Sequence, residues 1–450
     1  MTKDFDLIVI GAGMAGVTAA HVCASAGWSV AIVDERPYGG TCALRGCDPK
    51  KMLRRGAEIV EAARLMRGKG IRDDGLSIDW ADLVAFKQSF VEDMPGRIES
   101  GLKDKGIATW HGSARFTGGS TLAVNEDHLE AGRILIATGA CPRPLGIPGE
   151  EYLTTSTQFM DLTALPSRIL FVGGGYVSSE FAHIAARTGA KVHMIDRGER
   201  PLEAFDPDLV ARLVERGREA GIEFEGTTEL KAVKKDGGEY QVLVEQAGKS
   251  RHIETGLVVH GAGRIANLER LDLDVAGIDW SEKGVHVDAR LRSRSNRSVY
   301  AAGDAADTEG APLTPVGVLE GKRAAKNMLD EPGEAPDYRG VPSVVFTLPE
   351  LASVGMSEGE AKKATSNLRV AFNDTGGWFS NRRIGESCGA AKVLIDEDGD
   401  RIVGAHLLGD SYSELINIFA LAIRHRLGAR DLKDMIAAYP TLGSDLGSLL

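Results

Sequence analysis

One pattern occurs twice in this chain and limits what it can fold into: an apolar run, a glycine-rich turn, an Ala-rich stretch of helical composition, and a second apolar run closed by an aspartate. The copies span residues 5–34 and 168–196. The runs Leu7-Ile8-Val9-Ile10 and Ile169-Leu170-Phe171-Val172 stop directly at glycines, as strands of a parallel sheet do before a helix. In the first copy, Gly11-Ala12-Gly13-Met14-Ala15-Gly16 has the spacing a dinucleotide needs. Gly11 makes the tight turn, Gly13 lets a pyrophosphate reach the backbone, and Gly16 lets helix and strand approach. The anion then lies on the helix N-terminus, and Asp34 ends the second strand, placed to accept a hydrogen bond from the adenosine ribose. The second copy, Gly173-Gly174-Gly175-Tyr176-Val177-Ser178, has Ser178 as its third small residue and Asp196 as its strand-end acid. Two such units in one chain predict hydride passage from a soluble nicotinamide nucleotide to a bound flavin, with the cofactors carrying the hard chemistry.

At 450 residues the chain exceeds one comfortable core, and about three domains are expected. Pro142, Pro144 and Pro148 discourage helix between the two copies. From about Gly340 the pattern changes to short strands (343–346, 391–395, 402–408) and then helix (414–426). The fold expected is α/β, with two Rossmann-like dinucleotide-binding domains and a C-terminal α+β domain. The bounds are 1–145 and 266–338 for the first nucleotide domain, 146–265 for the inserted second, and 339–450 for the last.

The formal net charge is −11 and no basic block appears, so neither nucleic acid nor an anionic membrane is an expected partner. Arg290, Arg292, Arg294 and Arg297 alternate with small polar residues, as on a solvated strand edge. Small-molecule partners follow. Asp4 and Asp6 precede the first apolar run, unlike the basic flank of a signal peptide, and no run reaches the ~18 apolar residues of a membrane span. A cytoplasmic protein is expected. Five cysteines is an odd, low count, unsuited to a secreted disulfide framework, so a close pair reads as catalytic or metal-binding.

That pair lies in Gly39-Gly40-Thr41-Cys42-Ala43-Leu44-Arg45-Gly46-Cys47-Asp48-Pro49-Lys50-Lys51. Two cysteines at this spacing can be structural, redox-active, or half of a metal site. Cys23, Cys141 and Cys388 are scattered and no histidine cluster completes a ligand set, so no metal is expected. The position immediately after a nucleotide-binding βαβ unit points to redox chemistry.

Gly40-Thr41-Cys42 with Gly46-Cys47 and Pro49, eight residues beyond Asp34, resembles the redox centre of the class I pyridine nucleotide-disulfide oxidoreductases, the family of glutathione reductase, dihydrolipoamide dehydrogenase and mercuric reductase. The likeness extends over nearly the whole chain: the segment 133–139, ending Ala137-Thr138-Gly139; Ala301-Ala302-Gly303-Asp304; Leu313-Thr314-Pro315; Gly263-Arg264; and the 342–355 segment, which resembles the start of the family's dimerisation domain. The resemblance implies FAD held by Gly11, Gly13, Gly16, Asp34, Gly40, Thr41, Lys51, Ala114, Thr138, Gly139, Gly303, Asp304 and Thr314. It implies NADH or NADPH at Gly173, Gly175, Tyr176, Val177, Glu180, Asp196, Arg197, Gly263 and Arg264. Cys47 would face the flavin and Cys42 would exchange with substrate. Lys51 would lie near flavin N5 with Glu180 as its partner, Tyr176 would gate the flavin, and a homodimer would share its active sites.

The chain departs from the family between the cysteines, where Leu44 stands in place of an asparagine, just after them, and near the C-terminus. Asp48 and Lys50 follow Cys47 where an aliphatic residue and serine are usual. A carboxylate beside the thiolate raises its pKa and an ammonium lowers it. Near the C-terminus the family's His-Pro-x-x-x-Glu acid/base dyad is replaced by Tyr439-Pro440-Thr441-Leu442-Gly443-Ser444; a phenol donates but is a poor base at neutral pH. Tyrosine here is shared with mercuric reductases, whose C-terminal cysteine pair this sequence lacks. The expected acceptor is a disulfide or another thiol-reactive species, or a metal ion. A diaphorase, quinone reductase or transhydrogenase would bypass the thiols, and a nucleotide sensor would not turn over. For the nucleotide, Asp196 suits a ribose hydroxyl, whereas Arg197 and Arg200 suit a 2′-phosphate and Glu203 does not; use of both NADH and NADPH is expected.

Overall fold

The runs at 7–10 and 169–172 each become the central strand of a parallel sheet. In the computed structural model, which describes residues 2–330 and 332–450, the chain divides into two units. The first comprises residues up to 52, 85–143 and 263–338; the second comprises 53–84, 144–262 and 339–450. The helix Cys47–Leu65 is split by that division, its first residues falling in the first unit.

In the first unit, strand Thr2–Ile10 pairs in parallel with Val30–Asp34 on one side and Asp127–Ile136 on the other, with Leu7 opposite Val30 and Ile10 opposite Ile136. Strand Ala108–His111 extends the sheet beyond Val30–Asp34. The strand Asp127–Ile136 forks. Its first half pairs antiparallel with Thr121–Val124, and its last residues pair in parallel with Val299–Ala301 from the returning segment. Leu7, Ile8, Val9 and Ile134 are fully buried, each contributing about 1.5–3 kcal/mol of apolar burial. Helices Met14–Ser25 and Thr314–Leu329 pack together on this sheet through small residues: a Cβ on Gly321 would collide with the Ala15 carbonyl oxygen.

The second unit holds the second copy of the pattern. Strands Ile222–Glu225, Lys191–Ile195, Arg168–Val172 and Leu257–His260 form a parallel sheet in that order, and residues 228–255 form a separate three-stranded antiparallel meander. Residues 339–450 form a five-stranded antiparallel sheet, in the order Ser343–Val345, Glu350–Gly355, Arg401–Gly409, Ala390–Asp396, Leu368–Asp374, with helix Tyr412–His425 on one face. The runs at 391–395 and 402–408 lie within strands Ala390–Asp396 and Arg401–Gly409, and the 414–426 helix begins two residues earlier than its sequence signal. On the other face, Leu209 and Leu213 of helix Pro207–Glu219 pack with Val345, Leu351 and Leu408. Lys392, 3 % exposed, joins these elements by ion pairs to Asp206 (2.8 Å), Asp208 (2.6 Å) and Glu358 (2.9 Å). The ammonium occupies the middle of the acidic group these three residues form. Among the described residues, no helix is long and apolar enough to cross a membrane.

Candidate active site

The two glycine turns are built alike. Gly11 has φ +106° and Gly173 φ +99°, the left-handed region open to glycine. A Cβ on Gly11 would collide with the Ala137 carbonyl oxygen, and one on Gly173 with that of Gly261. Each turn is clamped by its strand-end aspartate. Asp34 Oδ2 accepts the Ala12 amide at 2.7 Å and Oδ1 the Arg36 amide at 2.9 Å; Asp196 Oδ2 accepts the Gly174 amide and Oδ1 the Gly198 amide at 2.6 Å. Burial raises the Asp34 carboxyl above its usual range, the two amides opposing the shift. Both acids therefore hold their own loops as well as facing the nucleotide seat.

In the first unit the seat has the features an FAD needs. Gly40, at the start of helix Gly40–Arg45, approaches the backbone of Gly13 so closely that a Cβ on it would stand 2.6 Å from Gly13 Cα. That brings the redox segment against the glycine turn. The hydroxyl of Thr138, next to Gly139 (φ +69°), is buried and has no hydrogen-bond partner among the described residues, a position that a cofactor polar group can satisfy. Asp304 follows Gly303 (φ +67°) at the strand end; its carboxyl is raised by burial, while the Arg264 charge pulls it back. Gly263 and Arg264 belong to this unit: strand Arg264–Ala266 pairs with Ala140–Pro142, and the Arg264 guanidinium donates to the Ala140 carbonyl. Ala114 is buried at 4 % exposure and faces Val124 in an antiparallel pair, so only its backbone is available to a ligand. Lys51 and Thr41 flank the cysteines, Lys51 half-buried on helix Cys47–Leu65 and Thr41 exposed.

Glu320 is a site residue that reading the sequence missed. It is 1 % exposed on helix Thr314–Leu329, with Oε2 accepting the Gly303 amide at 2.7 Å. Its Oε1 accepts the hydroxyls of Thr308 (2.7 Å) and Tyr338 (2.6 Å). It pins the turn that presents Asp304. A charge on the face of the buried Val316, Gly317, Gly321 and Ala324 was the available signal.

Cys42 sits in helix Gly40–Arg45 and Cys47 begins the next helix. The two thiols are hydrogen-bonded, and Cys47 Sγ lies 3.5 Å from Thr314 Oγ1, the first residue of helix Thr314–Leu329. The Cys42 thiol is held well above the usual range. The bond to Cys47 contributes most and burial next; the Thr314 hydroxyl pulls the other way, and Asp48 adds to the rise. Both the Thr314 hydroxyl and the positive end of its helix favour negative charge on sulfur.

In the second unit, Gly175 caps helix Tyr176–Arg187 and Val177 is half-buried. Ser178 is fully buried against Gly261, its hydroxyl without a hydrogen-bond partner among the described residues. Tyr176 packs edge-on against Phe205 (centroids 5.5 Å apart) and bonds the Ser343 side chain. Glu180 is 2 % exposed and accepts the Phe346 amide at 2.8 Å. Arg197 is exposed and lies within electrostatic reach of Glu229. Arg200, expected to suit a phosphate, is engaged by its own loop: Nη1 donates to the Leu202 carbonyl (3.1 Å) and Nη2 to that of Glu203 (2.6 Å). Tyr439 is 83 % exposed, in a C-terminal segment where Ile436 is wholly exposed.

Residues 5–323 match the family model described as pyridine nucleotide-disulphide oxidoreductase, and residues 341–449 match that family's dimerisation domain. The chain is 32% identical to a glutathione reductase of Burkholderia cepacia, covering 99% of this chain and 98% of that one. It is 30% identical to a mercuric reductase of Staphylococcus aureus, over 98% of this chain and 81% of that protein. Its structure is similar, with TM-score 0.89 and 26% identity, to a Cu(II) complex of the HOCl-induced flavoprotein disulfide reductase RclA from Escherichia coli, covering 100% of this chain and 99% of that one.

Proposed function

The chain belongs to the pyridine nucleotide-disulphide oxidoreductases, FAD-dependent enzymes that use NAD(P)H, and from that premise we propose that reducing equivalents leave it through Cys42 and Cys47 to a disulfide or other thiol-reactive acceptor. FAD, when bound, supplies two-electron carriage between a nicotinamide and a disulfide. One hydride equivalent, two electrons and one proton, then converts the Cys42–Cys47 disulfide to one thiol and one thiolate. The observation that supports this reading is the hydrogen-bonded cysteine pair with the Thr314 hydroxyl 3.5 Å from Cys47 Sγ, at the start of a helix whose positive end favours a thiolate there. Cys42, relieved of its bond to Cys47 when substrate arrives, is the sulfur that attacks.

The acceptor class is narrowed by Tyr439. A phenol protonates a leaving thiolate or ligates a soft metal weakly, but does not relay protons at neutral pH as an imidazole does. Its exposure on one chain supports a place in the partner's active site within a homodimer. Thiophilic metal ions are the second class of acceptor, supported by the likeness to a mercuric reductase. Quinone reduction without the thiols would make both cysteines dispensable. Thiol chemistry of this kind fits a reducing, cytoplasmic setting. The test is anaerobic reduction with NADH or NADPH, then reoxidation with disulfides, Hg(II), Cu(II), quinones or oxygen. Reoxidation by quinone alone, unaffected by loss of both cysteines, overturns the proposal.

A further inference from the structure

The redox segment is docked on the first glycine turn. The Gly39 amide donates to the Ala12 carbonyl at 3.0 Å, and at Gly40 a Cβ would stand 2.6 Å from Gly13 Cα. From that contact helix Gly40–Arg45 runs to Arg45, two residues before Cys47. Arg45 is half-buried, and its guanidinium makes no hydrogen bond or ion pair with any described residue. Two further guanidiniums stand beside it. Arg36 and Arg264 both lie within electrostatic reach of Arg45 and of each other. Burial and then the Arg36 charge hold Arg45 below the usual arginine range, with Asp34 opposing them. The acids within reach are already shared out. Both oxygens of Asp34 accept backbone amides, Glu35 is divided between Arg36 (4.0 Å) and Arg270 (3.7 Å), and Asp304 faces Arg264. Three guanidiniums gathered at a partly buried position repel one another and lose hydration, and a dianion set among them offsets both costs. The pyrophosphate of a dinucleotide seated on the Gly11–Gly16 turn, at the N-terminus of helix Met14–Ser25, is such a dianion.

We propose that Arg45 binds the FAD pyrophosphate and that, because it lies between Cys42 and Cys47, this ion pair fixes the redox segment on the cofactor. A guanidinium can present two N–H groups to one phosphate. Cofactor binding and alignment of the cysteine pair then become one event. The proposal rests on the flavoprotein reading above and not on the identity of the acceptor.

The test uses the full chain stripped of FAD, with FAD, ADP and adenosine as probes and affinity read by calorimetry. Arg45→Gln should weaken FAD and ADP about tenfold or more. Adenosine, which lacks the diphosphate, should be unchanged, and Arg45→Lys should recover part of the loss. Thermal unfolding should change sign between the two states: without FAD the Arg45→Gln variant melts at or above wild type, because one of three like charges is gone, and with saturating FAD it melts below. Alkylation of the reduced cysteines by iodoacetamide should be slowed by FAD in wild type, and slowed less in Arg45→Gln. FAD affinity unmoved by Arg45→Gln, or equal losses for ADP and adenosine, overturns this proposal alone. Wild type failing to bind FAD would sink the flavoprotein reading and this proposal with it.

Discussion

Thr314 Oγ1 stands 3.5 Å from Cys47 Sγ although 267 residues separate them in the chain. The hydroxyl also lowers the Cys42 pKa, opposing the neighbouring Cys47 sulfur and burial. Thr314→Val removes that help, so formation of the thiolate should move to higher pH, read as the absorbance of a thiolate-to-flavin charge-transfer band against pH. A hydrogen bond to a charged group is worth about 1.5 kcal/mol or less at this length. Reoxidation should therefore slow by no more than about tenfold. A band whose pH profile matches wild type removes Thr314 from the redox centre.

The cysteines should be separable by spectrum. Two-electron reduction of wild type is expected to give the long-wavelength band, and Cys47→Ser should lose it. Cys42→Ser should show the band in the oxidised enzyme, because the sulfur beside the flavin is then a thiolate with no disulfide partner. No band in wild type anywhere from about pH 6 to 9, around a thiol's reference pKa, would reverse the assignment.

Tyr439→Phe removes only a hydroxyl from a side chain that is 83 % exposed on its own chain, so stability should stay within about 0.5 kcal/mol. Reoxidation by the true acceptor should nevertheless slow at least tenfold, about 1.4 kcal/mol, with flavin reduction by the nicotinamide nearly unchanged. Tyr439→His with Ser444→Glu should gain more glutathione-disulfide turnover than Tyr439→His alone. Unchanged reoxidation in Tyr439→Phe would mean the phenol only fills space.

Lys392→Met leaves Asp206, Asp208 and Glu358 facing one another. Breaking a buried ion pair costs about 3–5 kcal/mol, and because Asp208 is 63 % exposed the loss at pH 7 should be nearer about 2–4 kcal/mol by urea unfolding. Its partners raise the Lys392 pKa, so its contribution is complete below the unfolded lysine range and is lost only as pH rises above it. The Glu358 pKa is lowered by Lys362 first and Lys392 second, so its contribution is present above the unfolded carboxylate range and lost on acidification. The difference between variant and wild type should therefore shrink as pH falls through about 4. A deficit that grows in acid would show that the three carboxylates do not repel.

The glycine turns were legible because a positive φ and a strand-to-helix switch leave a local signature, and the structure places Gly11 and Gly173 in equivalent turns. The strands at 390–396 and 401–409 were legible as short, mainly apolar runs. What local pattern could not carry was the fate of long side chains. Arg200 reads as a phosphate ligand, but whether a guanidinium reaches outward or caps its own loop depends on Leu202 turning back to Gly174. Thr314 was read with the cofactor, and its approach to Cys47 requires two distant segments to meet. Nor does composition reveal that residues 53–84 group with the second unit, where Leu53 and Ala57 share a core with Phe159 and Phe181; an amphipathic helix does not state which apolar surface it covers.

The fork in strand Asp127–Ile136 has a consequence for biosynthesis. Residues 134–136 await Val299–Ala301, so when the first 140 residues have left the ribosome the nascent sheet still has an unsatisfied apolar edge at Ile134 and Ile136. Translation at ~5–20 residues per second keeps it bare for about 10–30 s, while the intervening segment emerges and folds. An exposed edge of this kind recruits foreign strands. Translation rate and chaperone supply over that interval should thus set soluble yield more strongly than the stability of the finished protein does.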